Sequence, residues 1–198
     1  MKKVFLFIAD GFEEVEAVTP LDYLRRCGAD LTLVGVGSTQ IHSARALTLT
    51  CDCSIENLFT AAPGSAEEAN ELEQLAAKTA LVILPGGIPN SRTLAKNERL
   101  HSFVTAVVRC SGLVAAICAA PALVLGGWGM LQNKRFTCYP GMGNDLTPPP
   151  VKETRIMRDG QFITACGAGA AEEFSFTLIS ALYGDQKTAE LKKSIVAR

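Results

Sequence analysis

The sequence predicts a doubly wound α/β fold, a mostly parallel sheet with helices on both faces. Three observations carry this expectation. Short apolar runs alternate with segments of helical periodicity, the order expected when each strand is followed by a crossover helix. The apolar runs are nearly continuous in Val, Ile and Leu, as in parallel strands buried on both faces. Finally, no charged residue occurs in the 24 positions from Cys110 to Asn133, although the window contains Pro121 and Gly112, Gly126, Gly127 and Gly129. A transmembrane helix would carry these residues poorly, and a buried strand breaking into a helix accommodates them.

The elements follow in order. Residues 3–9 form the first strand, and the acids after it open a helix over 13–27. A second strand is placed at 31–36. Ser65 begins a helix-like run ending near Lys78, followed by a strand at 81–84, a helix at 97–109, a strand at 113–117 and a helix at 119–126. Residues 154–157 and 162–166 read as a hairpin because Asp159-Gly160 suits a tight type I′ turn. Helices at 171–183 and 186–197 close the chain.

The 198 residues read as one domain, 1–198, with no linker, repeat or low-complexity tract. A formal charge of −1 with scattered Lys and Arg offers no electrostatic case for nucleic acid. The start, Met1-Lys2-Lys3 and a short apolar run, mimics a signal peptide, but the run meets Asp10 after six residues. Secretion is therefore not expected, nor a membrane partner. Seven cysteines without scaffold spacing suggest reduced thiols and a cytoplasmic protein. Cys51-x-Cys53 lacks a second ligand pair, so no metal is expected.

Ligands in doubly wound sheets sit at the carboxyl ends of the strands, and three such ends hold chemistry-bearing residues. Cys118 stands where the strand at 113–117 breaks into Ala119-Ala120-Pro121. At a helix N-terminus the unpaired N–H groups would favour its thiolate, while the same position also suits a small buried hydrophobe. After the first strand, Glu13 and Glu14 complement the helix dipole. Glu16 lies beside the apolar stripe of Ala17, Leu21 and Leu24, where a carboxyl would have a raised pKa and could shuttle a proton; an exposed acid on a frayed turn is the plainer alternative. Gly86-Gly87, in Leu84-Pro85-Gly86-Gly87-Ile88-Pro89-Asn90, could present N–H groups to an oxyanion, or simply form a turn.

Taken together, Ala9-Asp10-Gly11-Phe12-Glu13-Glu14-Val15-Glu16, Pro20 to Gly28, Leu84-Pro85-Gly86-Gly87, Ala115-Ala116-Ile117-Cys118-Ala119-Ala120-Pro121 and Gly167-Ala168-Gly169 resemble the ThiJ/PfpI superfamily, in its DJ-one branch. The resemblance spans nearly the whole chain. It implies a flavodoxin-like, class I glutamine amidotransferase-like domain, commonly a homodimer, without cofactor. Cys118 would be a low-pKa nucleophile, Glu16 its carboxylic-acid partner, and Gly87 and Ala119 the oxyanion donors, with Gly86 beside them. Several members are similar to glyoxalase III enzymes, which convert small α-oxoaldehydes such as methylglyoxal to 2-hydroxy acids; deglycase activity is also claimed. The other role the resemblance suggests is a non-enzymatic oxidative-stress sensor or chaperone using Cys118 oxidation.

The sequence departs from the family in two places. Peptidase-like members have His after the Cys, where Ala119 stands, and neither His42 nor His101 lies in a motif, which disfavours a protease. Where the DJ-one branch brings a His toward the Cys, this chain has Tyr139, and a phenol is no base near pH 7. More of the proton transfer then falls to Glu16. Cys138 is a candidate resolving thiol or, more simply, a structural one; Arg26 is by resemblance a candidate anion contact and equally a dipole partner at the end of its helix; and Arg155 with Glu173 matches a structural ion pair of the family. The uncharged window reads as the dry wall of this site.

Overall fold

A computed structural model describes residues 3–197; Met1 and Lys2, the start of the signal-like segment, lie outside the described residues, as does Arg198. The chain folds as β1 (Lys3–Ile8), α1 (Glu14–Arg26), β2 (Asp30–Gly35), β3 (Gln40–His42), β4 (Thr48–Thr50), β5 (Cys53–Ser54), α2 (Ile55–Leu58), α3 (Ala66–Ala76), β6 (Thr79–Leu84), α4 (Ile88–Lys96), α5 (Glu98–Arg109), β7 (Leu113–Ile117), β8 (Ile156–Asp159), β9 (Phe162–Ala165), α6 (Ala171–Tyr183) and α7 (Asp185–Ser194). The seven-stranded sheet has the order β5-β2-β1-β6-β7-β9-β8. Every pairing in it is parallel except β8–β9, and β3 and β4 form a separate antiparallel hairpin. This is the flavodoxin-like arrangement that the sequence predicts.

Both faces of the sheet are covered, which explains the continuous apolar strands: Val4 to Ile8 and Leu81 to Leu84 are at most 1% exposed. On one face Phe103 of α5 packs edge-on against Phe5 (5.6 Å, 87°) and contacts Phe7 and Phe59. On the other, Ala17 and Leu24 of α1 join Phe174 and Leu178 of α6. Each such fully buried side chain contributes roughly 1.5–3 kcal/mol by leaving water.

Three stretches differ from the sequence-based expectation. Residues 88–96, read as a loop after Gly-Gly, form α4; Pro89 lies in its first turn, where a missing N–H costs little. The segment from 40 to 58 contains the β3–β4 hairpin, β5 and a single-turn helix of four residues, all too short to show periodicity. The helix placed at 119–126 is a widened π-helical turn over Pro121–Gly126. The wide turn sets the Leu123 carbonyl 2.7 Å from where a Cβ on Gly127 would lie, so only glycine fits there. No helix among the described residues is long and apolar enough to cross a membrane.

Phe103→Ala removes the ring on which Phe5, Phe7 and Phe59 converge. We expect a loss of about 3–5 kcal/mol in a urea titration; a loss below about 1 kcal/mol would show that this face is not a packed core.

Candidate active site

The carboxyl ends of β1, β6 and β7 converge, and each contributes one part of the site. β7 ends at Ile117, and Cys118 follows with φ +64°, a left-handed conformation unusual for a residue with a side chain. Two neighbours hold it there. The Cys118 N–H donates to Ala165 O of β9 at 2.9 Å, and the Tyr139 N–H donates to Cys118 O at 2.8 Å. The sharp turn leaves the thiol part-exposed beside α1, with the N–H groups of Ala119 and Gly87 directed at its sulfur.

Glu16 reaches the same point from α1. Glu13 caps that helix, its carboxylate accepting the Glu16 N–H at 3.0 Å. The Glu16 side chain is fully buried; Oε2 accepts the Gly86 N–H at 2.9 Å, and Oε1 has no hydrogen-bond partner among the described residues. Burial pushes its pKa up to about 7, offset in part by the Cys118 thiol and the Gly86 and Ala168 N–H groups. This is the partly protonated carboxyl expected for an acid beside an apolar stripe.

Cys118 departs from expectation. Burial, and then the charge on Glu16, push its thiol up to about 12, against the lowering effect of the Ala119 and Gly87 N–H groups. The anticipated help from a helix N-terminus is weak because the six-residue π turn is too short to build a dipole. The resting pair is a thiol facing a carboxyl that ionises near neutrality. A resting thiolate is therefore not what this arrangement favours.

Gly86 is the spacer that lets the two meet. A Cβ there would lie 2.6 Å from Cys118 Cβ and would collide with Glu16 Oε2. Its N–H is taken up by Glu16, so it is not the oxyanion donor first considered; Gly87 and Ala119 remain in that role. Gly87, at φ +86°, is pressed against Gly11 O, which also excludes a side chain.

The supporting residues separate clearly. The Tyr139 ring is 52% exposed and lies near Gly167, so its backbone, not its phenol, serves Cys118. Tyr139 lines a cleft of about 580 Å³ with Thr137, Arg155 and Cys166, whose walls include neither Cys118 nor Glu16. Cys138 is 5% exposed, belongs to the core of the opposite face and has its thiol at 3.3 Å from Met142 O. It is a structural thiol rather than a resolving one. Arg26 pairs with Asp22 at 2.8 Å on the helix surface, ten residues and about 15 Å beyond Glu16, and does not line the site. Arg155 holds both oxygens of Glu173 at 3.0 and 2.9 Å, the expected structural pair. No group of three or more potential metal-ligating side chains comes together among the described residues.

Three contributors escaped the sequence. Glu14 accepts Ser43 Oγ at 2.5 Å and the Arg45 N–H at 2.6 Å, tying the β3–β4 hairpin to the start of α1. The Ala168 N–H addresses Glu16 from the Gly167-Ala168-Gly169 turn. Asn90 is fully buried beneath the Gly-Gly turn. Only the Gly-Ala-Gly string carried a visible signal.

The sequence profile of the DJ-1/PfpI family matches residues 2–181. The chain belongs to this family. It is 34% identical over its whole length to DJ-1 homolog A of Arabidopsis thaliana, and it spans less than half of that protein and of homolog B, 47% and 42% respectively. It is 26% identical to a Caenorhabditis elegans protein named glutathione-independent glyoxalase, covering 97% of this chain and 94% of that one. The solved structure of Drosophila melanogaster DJ-1beta superposes with a TM-score of 0.84 at 29% identity, covering each chain fully. The chain thus shares its fold with this solved family member.

The raised Glu16 pKa has a sign that can be checked. Between about pH 4.5 and 7 the folded state holds a proton on Glu16 that the unfolded chain has lost, so stability falls as pH rises through this window. We expect the stability of Glu16→Gln, measured against wild type in urea, to improve by a few kcal/mol from pH 4.5 to pH 8. A difference independent of pH would show that the Glu16 pKa is ordinary.

Proposed function

We propose that the chain is a cofactor-independent, glyoxalase III-like enzyme acting on small α-oxoaldehydes. The observation that carries this is the facing pair of Cys118 and buried Glu16, with two N–H groups directed at the sulfur and no histidine or lysine at hand. The name of the Caenorhabditis elegans relative supports the same reaction class. The proposal includes a homodimer, supported by the exposed Val15 and Val18 on α1 and Leu47 on the adjoining hairpin, and a place in the cytoplasm.

With methylglyoxal as substrate, the Cys118 thiol adds to the aldehyde carbon as its proton passes to the Glu16 carboxylate. The new oxygen, charged as the C–S bond forms, receives the Gly87 and Ala119 N–H groups and then the proton from Glu16. This gives a hemithioacetal. Glu16 next removes the C1 proton, the ketone oxygen takes up the proton of the C1 hydroxyl to give an enediolate, and Glu16 returns its proton to C2, leaving a thioester of lactate. Water then cleaves the thioester, releasing lactate and restoring the thiol. Atoms balance with one water consumed and no external electron carrier. A carboxyl ionising near pH 7 suits both halves of this shuttle, since it takes and gives the proton at similar cost.

Lactate formation from methylglyoxal tests the proposal. Wild type should turn over, Cys118→Ala should fall to background, and Glu16→Gln should lose on the order of 10²-fold or more while remaining folded. Wild-type kcat/KM should rise through a midpoint near pH 7 as Glu16 becomes able to accept the thiol proton. Wild-type turnover no faster than that of Cys118→Ala would sink the proposal.

A further inference from the structure

The Gly86 N–H that holds Glu16 and the Gly87 N–H that faces Cys118 belong to consecutive peptide units, Pro85–Gly86 and Gly86–Gly87. The carbonyl oxygens of these two units point the other way; one side chain donates to both, and Gly86 O also receives a longer bond from the Glu13 N–H at 3.3 Å. Asn90 Nδ2 donates to Pro85 O at 2.8 Å and to Gly86 O at 3.0 Å, using both hydrogens of its amide. Asn90 Oδ1 accepts the Ala9 N–H at 2.6 Å, fastening the turn to the end of β1. The reverse amide orientation would set oxygen against two carbonyls and N–H against N–H, so the partners themselves dictate this one. Asn90 is fully buried, and no water competes for these bonds.

We propose that Asn90 is a positioning residue that polarises both peptides, making their N–H groups stronger donors to the Glu16 carboxylate and to the sulfur or oxyanion at Cys118. Hydrogen bonds in series strengthen one another: a carbonyl that accepts a bond leaves its own N–H more positive, and the effect is larger away from water. Two chains run from one side chain. The first is Asn90 Nδ2 to Pro85 C=O, through the peptide, to Gly86 N–H and Glu16 Oε2. The second is Asn90 Nδ2 to Gly86 C=O, through the peptide, to Gly87 N–H and the sulfur. Asn90 touches neither sulfur nor carboxyl, yet it adjusts both in the same sense, favouring their charged forms. The role in turnover rests on the glyoxalase III-like reaction proposed above; the role in tuning the thiol does not.

The test is the rate of Cys118 alkylation by iodoacetamide against pH, read by peptide mass to separate it from the other thiols. In Asn90→Ala both N–H groups become weaker donors. The profile should move up by about half to one pH unit, slowing alkylation at pH 7 roughly three- to tenfold. N90D keeps an oxygen for the Ala9 N–H without the two-donor amide and should shift in the same direction. Ser91→Ala is the control, because the neighbouring Ser91 hydroxyl is buried without a partner, and its profile should match wild type. If wild type produces lactate, Asn90→Ala should lower kcat about tenfold with KM within about twofold. If it produces none, the enzymatic proposal fails while the alkylation profile still judges Asn90. An unshifted profile in either folded Asn90 variant overturns the proposal. Should neither variant fold, exchange of the wild-type Asn90 side-chain amide decides: slow exchange supports the two buried bonds, and solvent-rate exchange overturns them.

Discussion

The site depends on a single close approach, at Gly86. Here the end of β6 passes between a buried carboxyl and a thiol with no room for a side chain, and its N–H takes one carboxyl oxygen. Sheet order explains why this happens where it does. β1 lies between β2 and β6, so the chain leaves β1 toward one edge and later fills the other, opening a crevice at that switch point. α1 descends from the crevice on one side with Glu16 in its first turn, and Cys118 closes it from the next strand but one. Neither residue could be reassigned to another strand end without losing the other.

Within this crevice the electrostatics rest on desolvation rather than on opposite charges. Burial is the largest raising influence on both groups, joined by the Glu13 charge on Glu16 and by the Glu16 carboxylate on Cys118, while backbone N–H groups lower both. A neighbouring lysine or histidine would have favoured a standing thiolate. Without such a cation near it among the described residues, Cys118 rests as a thiol beside a carboxyl that ionises near neutrality. The strained Cys118 backbone, costing on the order of 1–3 kcal/mol, is offset by the packing of Ile117, Ala119 and Ala120, all at most 1% exposed. Of the uncharged window, Cys118 and Ala119 border the site, while Val124, Leu125 and Leu131 pack in the core of the opposite sheet face.

Much of this was legible from residues alone. Continuous apolar runs identify β1, β2, β6 and β7, and the Cys118 elbow, Glu16 and the Gly-Gly turn all fall at strand ends. What stayed hidden had physical reasons. α4 starts with Gly-Ile-Pro-Asn, residues that serve a turn or a helix start equally well, and only packing decides between them. The π turn leaves no period of its own. Glu14 and Asn90 take their roles from partners such as Ser43 and Ala9, 29 and 81 residues away in sequence, which no local pattern reveals. The thiol's electrostatics required knowledge of how deeply it lies and how short the following helix is.

The long-range bonds around Cys118 also bear on how the molecule comes into being. Glu16 reaches Gly86 across 70 positions, and Cys118 is pinned from beyond by Tyr139 and Ala165. A chain emerging from the ribosome has the cysteine long before it has β9. Until that strand docks, the thiol lacks its backbone anchor and the floor of its crevice, and it remains an ordinary cysteine in an unfinished polypeptide. The site is thereby coupled to completion: nascent or proteolysed chains carry the cysteine without the buried carboxyl, the Gly86 approach and the backbone anchors that surround it in the finished fold.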